Sequence, residues 1–387
     1  MADIAKLVSW LGVSACLLLG CASQPPSAAR SDLLHDDWFA LGAGIASQVV
    51  APAQVLKLSA HTEEALDRAT ARKPGATGRV EVLMEAIFGP RQDEFAYVSA
   101  QTTPAEQTFQ QRSGDCLSLA LMTLAVADRL GLDAQLQEVH MTPVWQRQGG
   151  VEFVAGHVNV LLRGVRLENA PLAMLLNEVE IDFDPATRRA TRGFVPSMPV
   201  SRQRGLAMFY NNNGAEAFAA GQTALAYAHY RQAVQLDPTL DSTWFNLGQL
   251  YRAQGQDAAA QEVMRHVLSL NPESYNALLA LQQLLGTQGR APEAALYASR
   301  VQALRERDPN QLYRRGTAQL AQGDVRGAIR SLERATHLAI GFEEVHVALR
   351  DAYSSIGDFE RARTQGALLA ELDRGRMVGN KLLLLKH

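Results

Sequence analysis

Three stretches in the middle of the chain carry side chains that could do covalent chemistry. Cys116 lies in "RSGDCLSLAL", His157 in "FVAGHVNVLLRG", and Asp182 and Asp184 in "NEVEIDFDP". The only other cysteines among the 387 residues, Cys16 and Cys21, lie near the N-terminus. A thiol reacts as its thiolate, and backbone N–H groups with the helix dipole stabilise that form at a helix start. The apolar spacing of Leu117, Leu121, Leu124 and Leu130 predicts such a helix, with Ser113 or Asp115 as cap and Gly131 as its stop. Cys116 then falls in the first turn. Beyond Gly131, "LDAQLQEV" reads as a strand. The His157 stretch reads as a second, with His157 and Asn159 on one face. "NEVEIDFDP" reads as a third, with Asp182 and Asp184 on one face.

This order of Cys helix, strand, His strand and Asp strand resembles the transglutaminase-like superfamily of papain-like cysteine enzymes. The resemblance runs from about Thr103 to Thr187 and rests on "RSGDCLSLALMTLAVADRLGLDAQLQEV", "GHVNVLL" and "VEIDFDP". Within that superfamily the chain looks like bacterial proteins that join such a domain to tetratricopeptide repeats. The resemblance implies Cys116 as nucleophile and His157 as base. The third member is Asp182 if "EIDF" matches the apolar-apolar-Asp ending of the family, and Asp184 if "DP" matches its Asp-Pro; Asp182 is slightly favoured. In the implied mechanism the thiolate attacks an amide carbonyl, His157 takes and returns the proton, and the aspartate fixes the imidazole tautomer. The N–H of Cys116 would serve an oxyanion hole. Gln101, Gln107, Gln110 and Gln111 are the upstream candidates for its second donor, and Met141, Pro143 and Trp145, in a loop before the His strand, could line the cleft. Where the family has Ala-Trp after the His, this chain has Val158-Asn159.

The N-terminus bears on the thiol. An apolar run from Leu7 to Gly20 is shorter than the roughly 20 residues of a membrane span, but fits the core of an export signal. It ends in Leu18-Leu19-Gly20-Cys21, which resembles the lipobox of bacterial lipoproteins. That resemblance implies cleavage before Cys21, lipid on Cys21, and, with Ala22 next, sorting to the outer membrane. Cys116 would then be the one thiol of a mature protein in a compartment where disulfides form.

The second half repeats itself. Gly221, Gly255, Gly289, Gly323 and Gly357 fall at steps of 34 residues, the tetratricopeptide period. Gly214, Gly248 and Gly316, with Ala226, Ala260, Ala294, Ala328 and Ala362, keep their places in the period. Small residues let two antiparallel helices approach, Trp244 and Tyr251 fill the space between hairpins, and Pro238 and Pro272 stop each second helix. Stacked hairpins form a superhelix with a concave face that binds partners. Pro309 lies 20 residues after Gly289 whereas Pro272 lies 17 after Gly255. The second helix of repeat three should therefore be longer, and the following helix shorter. Five hairpins exceed the roughly three needed for stability, so the repeat half is expected to fold without the upstream domain.

With 37 Lys and Arg against 40 Asp and Glu, charge gives no reason to expect nucleic-acid binding. No spacing suggests a metal site, and no cofactor is expected. Upstream, "HTEEALDRATA" and "RVEVLMEAIFG" read as helices packing on the catalytic core, "HDDW" (His35 to Trp38) as surface, and "MPVSRQRGL" as a link between the halves.

The expected fold is an α+β papain/transglutaminase-like domain followed by an all-α tetratricopeptide repeat superhelix. Its parts are a lipoprotein signal (1–20), a tether (21–30), the transglutaminase-like domain with its N-terminal helical segment (31–199), five repeats (200–375) and a tail (376–387). The expected function is a lipid-anchored cysteine amidase or peptidase on the periplasmic face of the outer membrane, acting on a protein or peptide held by the repeats. The alternatives are a non-catalytic envelope scaffold that binds partners through its repeats, and an amine-accepting transglutaminase.

Overall fold

The structure is a computed structural model that describes residues 30–89, 95–98, 101–148, 151–164, 178–183, 197–338 and 342–370, with the backbone alone for 140–148 and 151–156. Cys21, Asp184, the signal, nearly all of the tether and the tail lie outside these residues. After two 3-10 turns, Ser31–Leu33 and Asp36–Trp38, come α1 (Ala43–Ala46), α2 (Pro52–Val55), α3 (Ala60–Arg72), α4 (Gly75–Phe88), β1 (Ala96–Tyr97), α5 (Ala105–Gln111) and β2 (Ser113–Gly114). They are followed by α6 (Cys116–Arg129), β3 (Asp133–Gln148), β4 (Val151–Arg163), β5 (Glu178–Ile181) and β6 (Ser197–Val200).

Helix α6 organises this half. Asp115 caps it by accepting from the Ser118 N–H at 2.7 Å, and Gly131, at φ +63°, takes the left-handed turn that ends it. Every residue from Leu117 to Ala127 is buried, so the helix is apolar all round and packed all round, by α4, α5, β3 and β4. Each buried leucine contributes about 1.5–3 kcal/mol. The sheet against it is antiparallel, in the order β5-β4-β3-β6. Val158, Val160, Leu162 and Ile181 join the core that α6 shares, and His157 and Asn159 take the alternate positions of β4. The expected loop from Met141 to Trp145 is instead part of β3, with a register shift against β4 between Val139 and Val144.

From Arg202 onward the described chain is helical: α7 (Arg202–Ala219), α8 (Thr223–Leu236), α9 (Asp241–Ala253), α10 (Asp257–Leu270), α11 (Tyr275–Thr287), α12 (Ala291–Arg307), α13 (Pro309–Ala321), α14 (Val325–Leu338), α15 (Glu343–Ser355) and α16 (359–370). These pair into five hairpins. The glycines at the turns, Gly221 to Gly357, all hold φ between 72° and 79°. First helices of neighbouring hairpins touch directly, α7 with α9 and α13 with α15, which makes them the inner row and the second helices the outer row. Helix α12 is longer, at 17 residues against 14 for α8, α10 and α14. The helix after it is not shortened: α13 has 13 residues, as α9 and α11 do. The extra length is absorbed by the linker, because Asp308 ends α12 and also caps α13, with Pro309 at its first position.

The two halves share a core. "MPVSRQRGL" is not a link: Met198 to Val200 belong to β6, paired with β3, and Ser201 caps α7. The expected boundary between 199 and 200 thus falls inside a strand. Ala207, Phe209 and Tyr210 of α7 are buried with Leu121 and Leu136 of the upstream core, and a Cβ on Gly205 would stand 2.8 Å from Leu136. In the other direction, Leu33 and Phe39 are buried in the core of the first repeats. Asp36, Asp37 and Trp38 of "HDDW" are exposed, as expected, yet the stretch also contacts the repeats. His35 stacks on Trp38 at 3.8 Å, both meet Tyr251, and Asp36 accepts from the Tyr227 hydroxyl at 2.7 Å.

Candidate functional site

The start of α6 is held by a buried polar cluster. Asp115, 7% exposed, accepts from Thr102 Oγ1 at 2.5 Å, from Ser118 Oγ at 2.6 Å and from the Ser118 N–H, and Asn212 of α7 also hydrogen-bonds it. Burial pushes its carboxyl up, against the pull of those donors. Ser118 Oγ in turn accepts from the Thr103 N–H at 2.9 Å. Glu216 of α7 accepts from the Thr102 N–H at 2.9 Å, and burial, with the Asp115 charge nearby, raises it too. Cys116 is the first residue of α6 and is half-buried at the rim of the core.

Strand register assembles the second part. Val160 pairs with Ile181, which sets Asp182, just past β5, beside the His157 face of β4. His157 is 5% exposed, and its Nε2 lies 2.7 Å from Asp182 Oδ2. Asn159 Nδ2 donates to Glu180 Oε1 on the same face. The Asn159 Oδ1 and Gln137 Oε1 atoms are buried there with no hydrogen-bond partner. The structure thus brings His157 and Asp182 together and sets Cys116 at a capped helix start. Of the four upstream glutamines, Gln101 meets that start through its backbone carbonyl, an acceptor from Ser118 Oγ at 3.3 Å, and the Gln110 amide is committed to Glu106 at 2.9 Å. Among the described residues no group of three or more His, Cys, Asp and Glu side chains could hold a metal ion. No helix of the described residues is long and apolar enough to cross a membrane.

The inner row of the repeats offers amides. Asn246 Nδ2 of α9 donates to Asn211 Oδ1 of α7 at 2.9 Å across the seam between the first helices. Gln249, one turn on from Asn246, buries its Oε1 without a hydrogen-bond partner. Sequence reasoning could not rank these positions, because the repeat period fixes spacing and not which residues the superhelix turns inward.

The spacing and the stacked hairpins agree with family comparison. Residues 214–255 match the family model for the TPR repeat, and residues 241–274 match that for the tetratricopeptide repeat. The C-terminal region is a tetratricopeptide repeat array. Among solved structures, one of MamA is 21% identical over 42% of this chain and 96% of its own, with a TM-score of 0.23. MamA 41-end from Desulfovibrio magneticus RS-1 is 19% identical over 43% of this chain and 95% of its own, with a TM-score of 0.25. YrrB, described as a TPR protein with an unusual peptide-binding site, is 18% identical over 47% of this chain and 92% of its own, also with a TM-score of 0.25. No curated protein matches the chain.

Proposed function

We propose that the protein is a peptide-binding scaffold of the bacterial envelope, with its repeats as the binding surface. The observation that carries this reading is the amide seam of the inner row: Asn211 and Asn246, both partly exposed, bonded to each other between neighbouring first helices. An extended peptide presents N–H donors and carbonyl acceptors in alternation, and amide side chains can meet both. A displayed library of extended peptides should yield ligands whose affinity falls about tenfold, or about 1.4 kcal/mol, in Asn211→Ala/Asn246→Ala. Ligands that bind that variant equally well would move the site elsewhere. Anchorage through a lipid on Cys21 at the outer membrane belongs to this reading. Metabolic lipid labelling should be lost in Cys21→Ala, and labelling that persists there would refute the anchor.

A second reading is favoured by the His157–Asp182 hydrogen bond at 2.7 Å and by the capped start of α6 at Cys116. In it the N-terminal half is a papain-like acyl-transfer domain that cuts or modifies the bound peptide. Cys116 attacks an amide carbonyl, His157 passes the proton to the leaving amine, and Asp182 holds the imidazole. Water resolves the thioester in the amidase form and an amine in the transglutaminase form. The reading requires Cys116 Sγ to meet the imidazole. Iodoacetamide should then label Cys116 well below pH 8, and His157→Ala should shift that profile upward. A profile that ignores His157 leaves the scaffold reading alone standing.

A further inference from the structure

We propose that the outer trough between α8 and α10 is a second peptide site, held in cis by Leu33–Phe39. It would accept in trans a peptide with an acid three residues after a large apolar side chain and three before an aromatic one. The segment lies against the second helices of repeats one and two, with the turn at Ser31–Leu33 on α10 and α1 on α8. Its side chains bind as a ligand's do. Leu33 is 1% exposed and Phe39 is 8% exposed, and Phe39 stacks on Tyr227 at 4.1 Å. Between them Asp36 accepts from the Tyr227 hydroxyl at 2.7 Å and forms an ion pair with Arg231, whose Nε lies 2.9 Å away without hydrogen-bond geometry. Tyr251 of α9 donates to the Leu33 carbonyl at 2.9 Å, and the His35 backbone also hydrogen-bonds its hydroxyl.

Among the described residues, no backbone of the repeats bonds the backbone of this stretch. Its turns close on themselves, Leu33 N–H to Arg30 and Trp38 N–H to His35, and it joins neither helix nor sheet. Beyond Leu41 the chain passes through exposed Gly42, Ala43 and Gly44, and a Cβ on either glycine would meet nothing within 4 Å. Two buried apolar anchors and one paired acid, joined through exposed Gly42 to the short helix α1, make an exchangeable ligand tethered at high effective concentration. A trans peptide must then compete with it. The segment meets Tyr227, Arg231 and Tyr251, whereas the amide seam is Asn211 with Asn246, so either site can fail without the other.

The test uses the full chain with a protease site inserted after Gly42. After cutting, a fluorescent peptide of residues 30–42 should bind with one-to-one saturation, and should bind at least tenfold more weakly to the uncut protein. Asp36→Ala or Phe39→Ala in the peptide, or Arg231→Ala in the protein, should each weaken binding at least tenfold. Asn211→Ala/Asn246→Ala should leave it unchanged. The idea is overturned if the cut protein loses its helical circular dichroism, since the segment is then part of the core. It is equally overturned if the peptide does not bind the cut protein, or binds without regard to Asp36 and Arg231.

Discussion

At the scale of single residues, the sequence pointed to a thiol, an imidazole and two aspartates; Asp182 meets the imidazole, and Asp184 lies outside the described residues. Asp182 lies within hydrogen-bond distance of His157 because β5 pairs with β4 in one register, which alternation along a strand cannot supply. If the acyl-transfer reading holds, Asp182→Asn should slow Cys116 alkylation and any amide turnover at least tenfold, and Asp184→Asn should cost less. Equal losses would mean that Asp182 has no special role. A second residue was not legible at all. His229 is 5% exposed beside Tyr210, its Nδ1 has no hydrogen-bond partner, and burial pushes its pKa down to about 4. The unfolded chain, near 6.5, binds the proton first, so this contribution is present above pH 6.5 and is lost as pH falls towards 4. The loss amounts to about 3 kcal/mol. Asp115, raised by burial, works in the opposite sense. His229→Gln should therefore flatten the fall in urea midpoint between pH 7 and pH 4.5, and an unchanged slope would exclude His229 as its origin.

At the scale of elements, the repeat period was readable because helix hairpins are local: a turn glycine and a small residue at the crossing suffice to define each one. The cost of disturbing the crossing depends on what faces it. A Cβ on Gly214 would stand 2.5 Å from the fully buried ring of Tyr230, whereas on Gly248 it would stand 2.7 Å from the flexible end of Met264. Gly214→Ala should cost more than Gly248→Ala, roughly 3 against 1 kcal/mol in urea unfolding, because a ring has nowhere to turn and a methionine does. Reversed magnitudes would mean that the first repeat yields more easily than its packing suggests. The misjudged helix after Pro309 has the same local character: proline fixes where α13 begins, but a linker can shrink to a single shared capping residue.

At the scale of the whole molecule, the first repeat is both an end and a joint. A chain cut at Val200 exposes Ala207, Phe209 and Tyr210, which the upstream core now covers, and deprives the Tyr210 hydroxyl of the Val50 carbonyl. The repeat half was expected to fold alone. With this core in view, Val200–His387 should remain helical in its later hairpins but bind a hydrophobic dye and melt below the full chain. A product as stable as the full chain, with no dye binding, would show that α7 closes on its own repeat.

The sequence by itself determined what repeats locally or alternates along one element: the helix that starts at Cys116, the strand that carries His157, the turn glycines and the five-hairpin array, whereas the strand expected to carry Asp182 ends one residue earlier, at Ile181. Only the tertiary structure decided what distant segments share. It placed Asp182 against His157, tied Glu216 to the cap of α6 through Thr102, made β6 and α7 part of one core, and laid Leu33 and Phe39 into the repeats. The reason is physical. Propensity and periodicity act over one element, about 5 to 20 residues. Contacts such as Tyr251 with Leu33, which join residues far apart in the chain, form only when whole surfaces close and exclude water.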